Sequence, residues 1–192
     1  FDRALEEFRN VQQLTLERAH AHINLAWLER QLGKADASME HLRSAIRLEP
    51  YLTGPRTDLA NLLAGGSGDD AEIGALRREE AERLERDTAL LPDGADIYYR
   101  LGLVRFQLGE YEAAAAAFER ACELVPTNYQ FRMALALLEE RRYELDGDPA
   151  HYEAAIQSLD KLREIEPDAP QAEQILQRLR STKQRRDAQQ AP

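Results

Sequence analysis

Six features of this sequence carry side chains that could hold a metal or move a proton: His20, His22, His41, His151, the single cysteine Cys122, and the triplet Asp146-Gly147-Asp148. His20 and His22 lie two positions apart, so on a helix their side chains point roughly 200° apart and cannot chelate one ion together. No spacing typical of zinc ligands is present, and the histidines read as packing or surface groups. The Asp146 triplet opens like a calcium loop but lacks the later carboxylates such a loop needs, so it reads as a capped turn. One cysteine forms neither an internal disulfide nor a CxxC pair. Cys122 is expected to be a semi-buried, inert thiol, because reactivity needs a basic neighbourhood. The chain contains no GxSxG, phosphate loop or HExxH. Asp and Glu are plentiful, but they are spaced as solvated helix faces rather than as catalytic pairs. Lys183, Arg185 and Arg186 could touch an anionic surface, and a solvated cap is the simpler reading. The expectation is a chain with no catalytic residues, no metal and no cofactor, and hence not an enzyme.

Composition describes the elements that would carry these residues. The chain has 192 residues, 43% apolar and 31% charged. Ala, Leu, Glu and Arg dominate and β-branched residues are few, which favours helix. The net charge of −10 leaves no overall electrostatic footprint for nucleic acid. No apolar run approaches the roughly 20 residues that span a bilayer, so membrane insertion is not expected. The sequence opens Phe1-Asp2-Arg3 without a Met or a signal peptide, and is expected to be a piece of a longer protein.

Residues 19–52 and 95–128 align without a gap. With the closing proline set at repeat position 32, Pro50, Pro92, Pro126 and Pro167 mark four repeat ends. The best-patterned repeat places Tyr98 at position 4, Leu101 at 7, Gly102 at 8, Gly109 at 15 and Tyr111 at 17. It continues with Ala114 at 20, Phe118 at 24, Ala121 at 27 and Pro126 at 32. The first repeat matches it through Leu25, Ala26, Gly33, Ser38, Leu42, Ala45 and Pro50. Small residues at 8 and 20 admit close helix approach, glycine at 15 ends the first helix, and proline at 32 stops the second. This pattern resembles the tetratricopeptide repeat family. The resemblance implies an all-α fold, a right-handed solenoid of antiparallel helix pairs.

The expected organisation is a single array. Residues 1–16 form a lone second helix of a truncated repeat, with Phe1, Ala4, Phe8 and Val11 at positions 17, 20, 24 and 27. Repeats follow at 17–52, 53–94, 95–128 and 129–168, and a capping helix with a polar tail occupies 169–192. The second and fourth repeats are longer, and their extra residues are placed in the turns between their helices. Asp69 or Asp70 is the expected cap of one helix, and Asp148 with Pro149 opens another. The second repeat departs from the pattern with Glu80 at position 20 and Asp87 at 27. Its expected inward stripe is Ile73, Leu76, Ala81, Leu84 and Leu91. Phe1, Ala4, Leu5, Phe8, Val11 and Leu14 cover more than one face, so the N-terminal end is expected to be covered, either by upstream residues of a longer protein or by a second copy in a homodimer. A second resemblance is to the repeat tail of bacterial multihaem cytochrome-type proteins. It implies a periplasmic or other extracytoplasmic place, against a cytoplasmic one otherwise.

The family resemblance puts concave-side residues at positions 2, 5, 6, 9, 12 and 13. The candidates for binding are Ile23, Trp27, Arg30, Asn61, Tyr99, Arg100, Leu103, Phe106, Met133 and Leu137. Co-chaperones of the family clamp a C-terminal carboxylate with Lys, Asn and Arg at set positions. Here those positions hold Ile23, Trp27, Asp58, Asp96 and Arg100, of which only Arg100 fits, so that ligand is not expected. The remaining groove is mixed, with aromatic anchors suited to a protein or peptide ligand laid along it. The expected function is a protein–protein interaction scaffold. The alternative is an accessory segment that positions the catalytic domain of a larger enzyme or redox protein.

Overall fold

The computed structural model describes residues 3–7, 9, 19–66 and 68–190. The described residues are helical with short turns and contain no strand. The chain divides into two compact units, residues 1–83 and 84–192.

In the first unit, α1 (Ala19–Gln31) and α2 (Ala35–Leu48) pair across a turn at Gly33. Gly33 has φ of 73°, a conformation that side chains with a Cβ resist. The small residues at positions 8 and 20 do what the repeat pattern requires. Ser38 of α2 lies against Ala26 of α1, and its buried hydroxyl donates to the Ala26 carbonyl at 2.7 Å. Then come α3 (Pro55–Ala64), opened by proline in its first turn, and α4 (Asp70–Leu90), whose residues up to Arg83 belong to this unit. Asp69 caps α4, its Oδ1 accepting from the Ala71 N–H at 3.1 Å. Ala26, Leu42, Leu59, Ala60, Leu63 and Ile73 form the core of this unit. Residues 3–7 are helical, and Leu5 packs with Leu25 and Leu28 of α1. Phe1, Phe8, Val11 and Leu14, on which the expected N-terminal contact rests, lie outside the described residues.

In the second unit, α5 (Ala95–Gln107) and α6 (Tyr111–Leu124) turn at Gly109, with φ of 78°. Next come α7 (Tyr129–Asp146), α8 (Pro149–Ile165) and α9 (Pro170–Gln190). Asn128 caps α7 by accepting from the Gln130 and Phe131 N–H groups, and Asp148 caps α8 by accepting from the Ala150 N–H at 2.9 Å. One core joins Phe118, Ala121, Phe131 and Leu138, and another joins Tyr143, Leu159, Leu162, Leu176 and Leu179.

Three expectations are corrected. The extra residues between Pro126 and Pro167 do not form an inter-helix loop. They lengthen α7 to 18 residues against 13 in α5, and only Gly147 and Asp148 separate α7 from α8. The lengthened part stays helical because it buries Tyr143, which stacks edge-on against Tyr152 of α8 at 5.4 Å. In the second repeat the turn expected between Ala64 and Asp70 is present, but α4 also takes up extra residues and reaches 21, against 14 in α6. Leu91 is not part of the inward stripe of α4. It lies just beyond the helix end and is 60% exposed, whereas Ile73, Ala81 and Leu84 are buried. Glu80 occupies the small-residue position 20 yet is fully buried, where its Oε1 accepts the Gly54 N–H at 2.6 Å.

Candidate binding groove

Helices α5 and α7 bring five of the ten candidate residues together. Tyr99, Leu103 and Phe106 from α5 and Met133 and Leu137 from α7 line one cavity of about 240 Å³. Their spacing explains the convergence, since residues three or four apart share a helix face. Phe118 and Leu138 close the inner side. The mouth is apolar and open, with Leu103 and Leu137 36% and 39% exposed.

Tyr99 and Phe106 serve two roles. The Tyr99 ring packs on Phe131 at 5.0 Å and on Phe118 at 5.9 Å, so most of it belongs to the core. Burial pushes its phenol above the ordinary range. Phe106 meets Tyr111 edge-on at 5.7 Å. Both rings are held in place by contacts with neighbouring rings. Tyr129 and Gln130 also line it. Sequence reasoning missed Tyr129, although it stands four and eight residues before Met133 and Leu137 on the same face.

In the first unit, Ile23, Trp27 and Arg30 of α1 line a smaller hollow of about 80 Å³ with Asp58 and Leu62 of α3. Trp27 is 48% exposed, and Arg30 and Asp58 approach to 4.0 Å. Asn61 is exposed on α3, and Arg100 is half-buried on α5; neither lines either of these two cavities.

His22, His41, His151 and Cys122 are engaged or buried, and His20 is exposed on α1. His22 faces His41 across α1 and α2, Nδ1 to Nδ1 at 3.0 Å, so one ring donates and the other accepts. Both imidazoles are held below their ordinary range. Burial is the main cause for each; for His22 the facing His41 and then Arg47 add to it. His151 Nδ1 meets the buried Glu139 carboxylate at 2.8 Å, joining α8 to α7. Cys122 is buried, and burial pushes its thiol up. Among the described residues no group of three or more His, Cys, Asp or Glu could hold a metal, and no helix is long and apolar enough to cross a membrane.

The helix pairs define a class, the all-α helical-repeat proteins, and sequence comparison specifies it further. Residues 19–51 and 95–128 each match a tetratricopeptide repeat profile. The chain therefore carries tetratricopeptide repeats at these two segments, within an all-α fold of antiparallel helix pairs. A curated relative is the regulatory protein RapG of Bacillus subtilis, 26% identical over 154 residues. The match covers 73% of this chain, and the chain spans only 42% of that protein's length. Among solved structures, MamA from Desulfovibrio magneticus is similar with a TM-score of 0.62 at 17% identity, covering 88% of this chain and 87% of that one. A thermophilic repeat protein of Thermus thermophilus is similar with a TM-score of 0.60 at 21% identity, covering 94% and 89%. These structures share the fold.

Proposed function

We propose that the groove of the second unit binds a peptide or helix by taking one large apolar side chain between α5 and α7. The supporting observation is the cavity walled by Tyr99, Leu103, Phe106, Met133 and Leu137. Apolar anchors seated in desolvated pockets dominate most interfaces, and aromatic walls supply contact area at small entropic cost. An amphipathic helix presents such anchors at three- and four-residue spacing, which suits a groove between parallel ridges of side chains. Trp27, Ile23 and Arg30 supply a second contact of the same kind in the first unit. Asn61 and Arg100 are rim contacts in this reading.

Selection from a displayed library of random 12-residue peptides tests the assignment. Peptides carrying a large apolar or aromatic anchor should be enriched on the native chain. Leu103→Asp and Leu137→Asp should each weaken the selected peptides about tenfold or more, as expected for a charge placed in an apolar pocket. Selected peptides that bind both variants as tightly as the native chain overturn it, as does the absence of any enrichment.

A further inference from the structure

The other face of α7 carries a second cavity, of about 350 Å³, bounded by α6, α7 and α8. Arg132, Leu135 and Glu139 line it, whereas Gln130, Met133 and Leu137 line the groove. The two triplets are offset by two residues, which sets them on opposite sides of the helix. The volume lies within the range of about 300–1,000 Å³ common for small-molecule sites.

The charges of this cavity are unevenly satisfied. Glu123 is paired with Arg120 at 3.0 Å. Glu139 is held by Arg142 at 3.0 Å and by His151 at 2.8 Å. The cations lack such partners. Among the described residues neither Arg132 nor Lys161 has a carboxylate at ion-pairing distance, and Arg132 Nε is shielded from solvent without a hydrogen-bond partner. A buried donor left unpaired is costly, and more so when charged, so native structures rarely keep one without a purpose. Both cations act on the Cys122 thiol, opposing the upward push of burial, which places their charge beside the same cavity wall. Of the acids lining the cavity, Glu119 alone has no ion pair among the described residues. With two free cations and one free anion the cavity favours a singly charged anion and disfavours a dianion such as phosphate. Leu135, Pro126 and Ala154 supply an apolar side.

We propose that this cavity binds one carboxylate carried on a short apolar body, with Arg132 and Lys161 as its cationic partners. The carboxylate belongs either to a free organic acid or to the end of a peptide chain. The guanidinium offers a fork of N–H donors matched to a carboxylate, and the lysine adds a point charge. The site is separate from the groove and does not depend on it.

The test uses the full chain labelled with ¹⁵N-arginine and follows the Arg132 Nε–Hε signal, assigned by its loss in Arg132→Lys. Hexanoate represents a free acid and N-acetyl-leucine a peptide end. N-acetyl-leucinamide and inorganic phosphate are the controls. At least one carboxylate should shift the signal saturably, while the amide and phosphate should not. A response to N-acetyl-leucine alone assigns the peptide end, and an equal response to hexanoate assigns the free acid. Lys161 is exposed, so Lys161→Gln keeps the fold, and it should weaken binding about fivefold, as for one partly exposed charge pair. Leu103→Asp in the groove should leave the response unchanged. The proposal is overturned if neither carboxylate moves the signal, if the amide or phosphate moves it as far, or if Lys161→Gln has no effect.

Discussion

At Gly102 a Cβ would stand 2.5 Å from two atoms of the Phe118 ring. The sequence pattern identified this as a close-approach position, and the reason is steric: Phe118 of α6 fills the space a side chain on α5 would need. Gly102→Leu should destabilise the chain by about 1–3 kcal/mol, the usual cost of overpacking, read as a lower urea midpoint. The buried polar residues were not legible in this way. Glu29 reads as part of a solvated helix face and Glu80 as a departure at the small-residue position 20, yet both are buried. Glu29 is met by Arg9 at 2.8 Å and by Lys34 at 3.4 Å, partners 20 and 5 positions away that no local periodicity pairs with it. The His22–His41 contact is of the same kind and gives a pH dependence. Both imidazoles are held below their ordinary range, so the unfolded chain takes up protons that the folded chain refuses. Stability should therefore be full above about pH 6.5 and fall as the pH drops from there through the lowered values. Urea midpoints between pH 8 and pH 5 should show this decline, and His41→Gln should flatten it. An unchanged slope in that variant would remove the histidine pair as its cause.

The same distinction holds between elements. Helix ends were readable because glycine, proline and capping acids act locally: Gly33, Gly109, Asp148 and Pro149 stand where the turns form. Helix lengths in the two long repeats were not, because Tyr143 extends α7 only by finding Tyr152 on another helix. The docking of α9 is a further case. Its basic sequence reads as a solvated cap, yet Arg178 reaches the buried Glu140 of α7 through two hydrogen bonds, at 2.8 and 2.6 Å. Lys183 lies over the Tyr152 ring at 4.5 Å, and the Arg186 guanidinium lies over Tyr143 at 5.6 Å. Arg178→Ala would leave the Glu140 carboxylate buried without its fork of donors. Because the arginine is half-open to water, the expected cost is about 1–2 kcal/mol, below that of a fully buried pair. Amide hydrogen exchange should quicken in α9 before the rest of its unit. Arg178→Lys should restore little of the protection, since an ammonium cannot make both bonds.

For the whole molecule, the tetratricopeptide class rests on a pattern repeated along the chain, and each copy restates the same packing rule. Far-ultraviolet circular dichroism should accordingly show a helical spectrum with no resolvable strand component. Self-association through the N-terminal end is a separate expectation from residues 1–16. Sedimentation should show a dimer that forms with rising concentration and is weakened by Phe8→Glu, and a monomer at every concentration would reject it. By itself the sequence determined the fold class, the helix-pair unit, the turn glycines and the helical face that carries Leu103, Phe106, Met133 and Leu137. These follow from residue spacing, because a helix converts spacing directly into a shared face. Only the tertiary structure decided that Tyr129 joins that face as part of one cavity, that Tyr99 is chiefly a core ring, and that Asn61 and Arg100 stand apart. It alone paired Glu80 with Gly54 and, among the described residues, left the shielded Arg132 Nε without a hydrogen-bond partner. Those outcomes depend on which side chains from distant segments fill the same volume, and close packing settles that only when all the helices of a unit are in place.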